Sequence, residues 1–182
     1  MKKIFFVLGF LLVGQFLMAQ QKPTDLDKSP LDVSYYPANF PILKMRQQAS
    51  GDPSARIVYS RPQLKGRNIF GGEVKYNEVW RLGANEATEL ELFKNAVIGG
   101  KKIPKGRYTL YCIPTENKWT IIINKDNYSW GGFTYKSDKD VARIDVPVQK
   151  VADPVEALTI YFENSSMAVM WDTLKVNVPV SF

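Results

Sequence analysis

The spacing of turn residues beyond Ala55 constrains this chain more than any other feature. Gly, Pro and Asn recur there at short intervals, and the stretches between them are rich in Val, Ile, Thr and aromatic residues. No helical period is sustained. Residues 86–93 alternate Thr88, Leu90 and Leu92 against Glu89 and Glu91, the pattern of a strand with one face in a core. Residues 95–98 and 101–103 flank Gly99-Gly100, and two glycines in a row supply the positive φ values of a primed hairpin turn. Further strands are predicted at 56–60, 106–113, 118–124, 132–135, 142–148, 156–163, 167–172 and 175–180, with one helical turn at 77–82 between an Asn77 cap and a Gly83 stop. About nine short strands with tight turns predict an all-β domain over residues 55–182. Its expected form is an antiparallel β-sandwich or jelly roll, in which facing sheets bury each other's apolar sides.

Ahead of that domain the pattern changes twice. Lys2 and Lys3 precede an apolar run from Ile4 to Met18, and Ala19 is followed by polar Gln20-Gln21-Lys22, which reads as a secretory signal peptide over residues 1–19. The run is short for a bilayer span, and no second apolar stretch approaches the required length, so no membrane span is expected after its removal. The expected location is the periplasm, the outer cell envelope or the medium. Residues 20–54 carry Pro23, Pro30, Pro37, Pro41 and Pro53 without a sustained period. Tyr35, Tyr36, Phe40, Ile42 and Leu43 are too apolar for a free linker, so part of this lead segment is expected to pack on the domain as an irregular flap.

Charge and rare residues narrow the chemistry. The net charge of +6 falls by two when Lys2 and Lys3 leave, and the remaining basic residues are interspersed with acids, which argues against nucleic acid as a partner. Lys101, Lys102, Lys105 and Arg107 flank the hairpin, where lysines blunt a sheet edge. Cys112 is the single cysteine, so no intramolecular disulfide forms, and its strand context makes it a small buried hydrophobe. The chain has no histidine, which removes Ser-His-Asp and Cys-His catalysis and every His-based metal site. No cofactor or metal set is read from the remaining residues.

One polar constellation stands out within this apolar frame. Val79-Trp80-Arg81-Leu82-Gly83-Ala84-Asn85-Glu86-Ala87-Thr88 places a guanidinium, a carboxamide and a carboxylate among small and apolar residues, and polar groups buried there need partners. It stands in order with Tyr59-Ser60-Arg61-Pro62, Gly66-Arg67-Asn68-Ile69-Phe70-Gly71, Gly106-Arg107-Tyr108-Thr109-Leu110 and Trp119-Thr120-Ile121-Ile122-Ile123-Asn124. With Trp130-Gly131 and Trp171-Asp172, these motifs give a chain that resembles the exported bacterial family of domain of unknown function 2911, from about Ser29 to Val180. The resemblance implies no activity, and no catalytic residue is carried over from it.

Two readings of Arg61, Arg67, Arg81, Asn85 and Glu86 stay open. In the architectural one, Arg81 pairs with Glu86 across a bend and Asn85 bonds the backbone near Gly83. In the functional one, an arginine fork takes a carboxylate or phosphate while Asn85 and Glu86 orient hydroxyls, the equipment of a binding module for a sugar, peptide or organic acid. Trp119 and Trp171 lie in strand patterns and are expected in the core, whereas Trp130, in Tyr128-Ser129-Trp130-Gly131-Gly132, is the aromatic candidate for ligand contact. The candidate ligand-binding set is therefore Arg61, Arg81, Asn85, Glu86 and Trp130. A glycosidase-type hydrolase drawing its carboxylates from Glu73, Glu78 or Glu86 is the catalytic alternative, and a structural envelope component is the third. Gly66 to Gly72 lacks the Lys-Ser or Lys-Thr and the following helix of a phosphate-cradling loop.

Overall fold

The computed structural model describes residues 24–182, so the segment read as a signal peptide lies outside the described residues. Ten strands form two antiparallel sheets, the sandwich that the turn spacing predicts. The larger sheet runs β1 (Leu31–Tyr36), β2 (Ala55–Ser60), β3 (Thr88–Leu92), β6 (Gly106–Pro114), β7 (Lys118–Asn124) and β8 (Asp140–Pro147) in spatial order. The smaller runs β5 (Lys101–Ile103), β4 (Ala96–Ile98), β10 (Ser166–Ser181) and β9 (Gln149–Glu163). Among the described residues no helix is long and apolar enough to cross a membrane.

The alternation in β3 decides which way the large sheet faces. Thr88, Leu90 and Leu92 point into the core, and Glu91 on the outer face bridges Arg56 at 2.5 Å and Arg107 at 3.3 Å, its register partners on β2 and β6. Between the sheets, Ile57, Leu110, Cys112 and Ile121 meet Leu158, Val169, Val176 and Val178 in one continuous cluster. Phe70, Trp80, Trp119 and Trp171 close one region of it, with ring centroids 5.0 to 6.2 Å apart. Gly99 and Gly100, at φ 54° and 77°, turn the β4–β5 hairpin, and a Cβ on Gly99 would stand 2.2 Å from Ile144. Lys101 and Lys102 lie exposed on the edge strand β5.

Several local expectations are corrected. The lead segment is not an irregular flap: β1 pairs with β2 along its whole length, and Phe40–Met45 forms a short helix, α1, with proline in its first turn. In β1 the apolar Leu31 and Val33 face solvent while Asp32, Ser34 and Tyr36 turn inward. The Asp32 carboxylate takes Arg61, and the Ser34 hydroxyl donates to the Ile160 carbonyl. Residues 77–82 are not helical, because Asn77 and Leu82 are left-handed at φ 63° and 55° and Trp80 is extended against Cys112. Residues 132–135 form a turn rather than a strand, since the pairing in that loop goes instead to Trp130 against Glu86. The predicted strands 167–172 and 175–180 are one strand, β10, with register irregularities between Met170 and Leu174.

The centre of the large sheet is covered on both faces. On the outer face Tyr111 and Ile122 are buried with Ala87 beneath Val79, Ile113 and Tyr135. Val79 and Ala87 belong to the loop before β3, and Tyr135 to the loop after β7, so two connections meet over this patch.

Candidate functional site

Four hydrogen-bonded anchors shape the loop that carries Arg81. Trp80 Nε1 donates to the Gly83 carbonyl at 3.0 Å, and Thr88 Oγ1 donates to the Leu82 carbonyl at 2.7 Å. The Ser60 hydroxyl donates to the Ala84 carbonyl and accepts from the Ala84 amide, both at 2.6 Å. The Thr88 amide closes the bend on the Arg81 carbonyl at 3.1 Å. Gly83 is required by space here, because a Cβ would lie 2.8 Å from Ser60 Oγ.

These bonds hold the Arg81 backbone and, among the described residues, leave its side chain without a partner. Its Nε is sealed from solvent with no acceptor in reach among the described residues, and burial alone holds the guanidinium below its ordinary pKa. The side chain lies between two adjoining hollows. A cleft of about 510 Å³ is bounded by Lys75, Glu78, Val79, Arg81, Phe133 and Tyr135, and a smaller hollow of about 150 Å³ by Ser29, Arg67, Ala84 and Trp171. Glu73, Val74, Trp80 and Arg81 line both. A separate, apolar hollow of about 420 Å³ at Val97, Lys102 and Phe182 lies on the hairpin edge away from this polar set.

Among the described residues, Arg81 is the half-buried cation of the cleft and makes no ion pair. Glu73 is held by Arg67 at 3.4 Å, while Lys75 and Glu78 stand exposed at the rim. Tyr135 donates its hydroxyl to Asp140 Oδ2 and accepts from Arg143 Nη2, both at 2.6 Å. Desolvation and the Asp140 carboxylate push its phenol up to about 12, so the ring stays protonated at neutral pH.

The predicted site residues separate into two groups. Asn85, Glu86 and Trp130 lie where the two loops join: Glu86 bridges Trp130, the Ala87 amide donates to the Ser129 carbonyl at 2.9 Å, and the Gly131 amide to the Asn85 carbonyl at 2.9 Å. Asn85 also donates to Asp27 Oδ2 at 2.9 Å. Glu86 is exposed and makes no ion pair with Arg81, so the expected Arg81–Glu86 pair does not form; the bend turns Glu86 toward Trp130 and solvent. Arg61 is elsewhere, bonded to Asp32 Oδ2 at 3.0 Å, the Leu158 carbonyl at 3.1 Å and Thr159 Oγ1 at 2.8 Å. Phe133 and Tyr135 were not singled out by sequence reasoning. The available signal was Gly131-Gly132, which lets a turn present the next side chain outward: Phe133 is 85% exposed and Trp130 60%.

Fold and site together define an antiparallel β-sandwich with a cleft of mixed charge, lined by Glu73, Lys75, Glu78 and Arg81 and built from two loops on the outer face of its larger sheet. The chain matches, over residues 41–180, the family described as protein of unknown function (DUF2911), and it belongs to that family. No curated protein and no solved structure matches it.

Proposed function

We propose that this protein is a non-catalytic binding module whose cleft receives a small anionic ligand, a carboxylate most directly, on Arg81. The observation that carries this reading is the half-buried guanidinium with no acceptor among the described residues, facing a cleft large enough for a small molecule. The sealed, unanswered Nε is unfavourable by about 1 to 3 kcal/mol, and the terminal nitrogens of the guanidinium are the donors offered to a bidentate anion. Export, as read from residues 1–19, gives the setting.

Calorimetric titration with succinate, glucuronate and phosphate, set against neutral glucose, tests the reading. Anion binding that disappears in Arg81→Gln is expected. Equal binding by wild type and variant, or no anion binding at all, would overturn it.

A second reading rests on Glu73 and Glu78, which line the same cleft and supply the two carboxylates a glycosidase needs. Glu73 is tied to Arg67, which favours binding over hydrolysis. Release of nitrophenol from aryl glycosides, abolished by Glu78→Gln, would reverse that preference.

A further inference from the structure

Trp130 and Phe133 form an aromatic shelf beside the Arg81 cleft. Their rings are near parallel, at 21° with centroids 6.4 Å apart, and Phe133 is itself a wall of the cleft. Large apolar side chains this exposed are normally scattered, and a pair aligned beside a polar hollow marks a contact surface. The shelf is also held in place. Gly131 is left-handed at φ 74°, and a Cβ there would lie 2.8 Å from the Phe133 ring, so the ring rests against the glycine backbone. Gly132 lies against the Val79 carbonyl, where a Cβ would stand 3.1 Å away. The Asn85 and Ser129 carbonyls tie the same turn to the Arg81 loop. The third exposed aromatic of this loop, Tyr128, is already engaged: Arg107 lies over its ring at 5.6 Å and donates to its hydroxyl at 2.6 Å.

Resting on the anion-binding reading above, we infer that the ligand is an acidic carbohydrate, with a uronic carboxylate on Arg81 and sugar rings lying on Phe133 and Trp130. A pyranose combines an apolar C–H face, which packs on an aromatic face, with a rim of hydroxyls that need hydrogen-bond partners. The shelf supplies the first; Glu78, Lys75 and Glu73 at the rim supply the second; Arg81 supplies the counter-charge. A peptide fits less well, because both walls of the cleft are loops and offer no strand edge for a ladder to extend. The ordering of rings before binding lowers the entropic penalty of capture.

The test uses titration of the full mature chain with tetragalacturonate, cellotetraose, succinate and an acidic peptide ending in phenylalanine. Tetragalacturonate is expected to bind most tightly. Trp130→Ala, outside the cleft lining, is expected to weaken it about tenfold while leaving succinate binding unchanged, Phe133→Ala to weaken it at least as much, and Arg81→Gln to remove binding of both anions. Because both rings are exposed, unchanged melting temperatures will show that these variants are folded. If Arg81→Gln loses anions but the two shelf variants bind tetragalacturonate like wild type, the carbohydrate inference falls and the anion cleft stands. Tighter, shelf-dependent binding of the peptide overturns the carbohydrate in favour of a peptide. Absence of binding to any anion overturns both readings.

Discussion

Trp80 and Cys112 exchange a reciprocal pair of backbone hydrogen bonds, 2.7 Å and 2.8 Å long, beyond the point where β3 leaves β6. With the Asn77 amide on the Pro114 carbonyl at 2.9 Å, this bridge lets a loop occupy the lane that β3 vacates. The Trp80 side chain therefore joins the core face with Cys112, Val79 joins the outer patch, and Arg81 emerges beside the cleft. A short piece of strand pairing thus positions the Arg81 guanidinium.

That pairing seals Cys112, which is 0% exposed and has its thiol pushed well up by burial. Maleimide modification of the native protein is expected to be slow and to become fast in denaturant. Comparable rates in both would show that the β6–β7 region opens freely. Cys112→Ser places a hydroxyl without a partner in the same volume and should destabilise by about 1 to 3 kcal/mol, read from chemical denaturation.

The same thiol makes stability fall in alkali. Folded, Cys112 keeps its proton well above its ordinary value of 9.0, whereas the unfolded chain loses it near that pH. The unfolded state then binds fewer protons, so the contribution is fully present below about pH 9 and is lost as pH rises toward the folded pKa, at up to about 1.4 kcal/mol per pH unit. Tyr135, raised to about 12 first by desolvation and then by Asp140, adds a loss in the same direction above pH 10. Denaturation at pH 8 and pH 10 measures the drop, which Cys112→Ala should reduce; identical drops in the two proteins would sink the assignment.

Gly83 and Ser60 should behave as a coupled pair. Gly83→Ala drives a methyl into Ser60 Oγ, whose two bonds to Ala84 hold the bend, so a loss of about 1 to 3 kcal/mol is expected together with weaker anion binding. In a Ser60→Ala background the obstruction is gone, and Gly83→Ala should do less harm. Equal effects in both backgrounds would mean that the contact does not fix the loop.

The fold was legible where side-chain alternation follows burial. In β3, β6 and β7 the core face is apolar and the strand limits fall close to the predicted ones. It was illegible where tertiary bonds reverse the pattern. β1 turns Asp32 and Ser34 inward because Arg61 and the Ile160 carbonyl await them, and no local rule announces partners so distant in sequence. Residues 77–82 look helical by their flanks, yet Cys112 and Pro114 offer backbone groups that Trp80 and Asn77 satisfy. In the site, Arg81 was visible as a charge in an apolar segment. Its lack of a protein partner was not, since whether Glu86 reaches it depends on the direction of the bend.

Arg61 and Arg81 give the sharpest contrast, because they are near in sequence and opposite in engagement. Arg61 uses Nε and both terminal nitrogens on Leu158, Asp32 and Thr159, clasping β1 and β9 around the end of β2. Arg61→Met strands those acceptors and should lower stability by about 1 to 3 kcal/mol, measured by denaturant unfolding, while anion binding persists. Arg81→Met removes a guanidinium whose buried Nε no described residue answers, so stability should be unchanged or raised by up to about 1 to 3 kcal/mol while the thermal shift given by glucuronate vanishes. The two side chains share no partner, and the double variant should combine their stability effects additively. A loss of several kcal/mol in Arg81→Met would instead reveal a buried ion pair and remove the basis for the binding site.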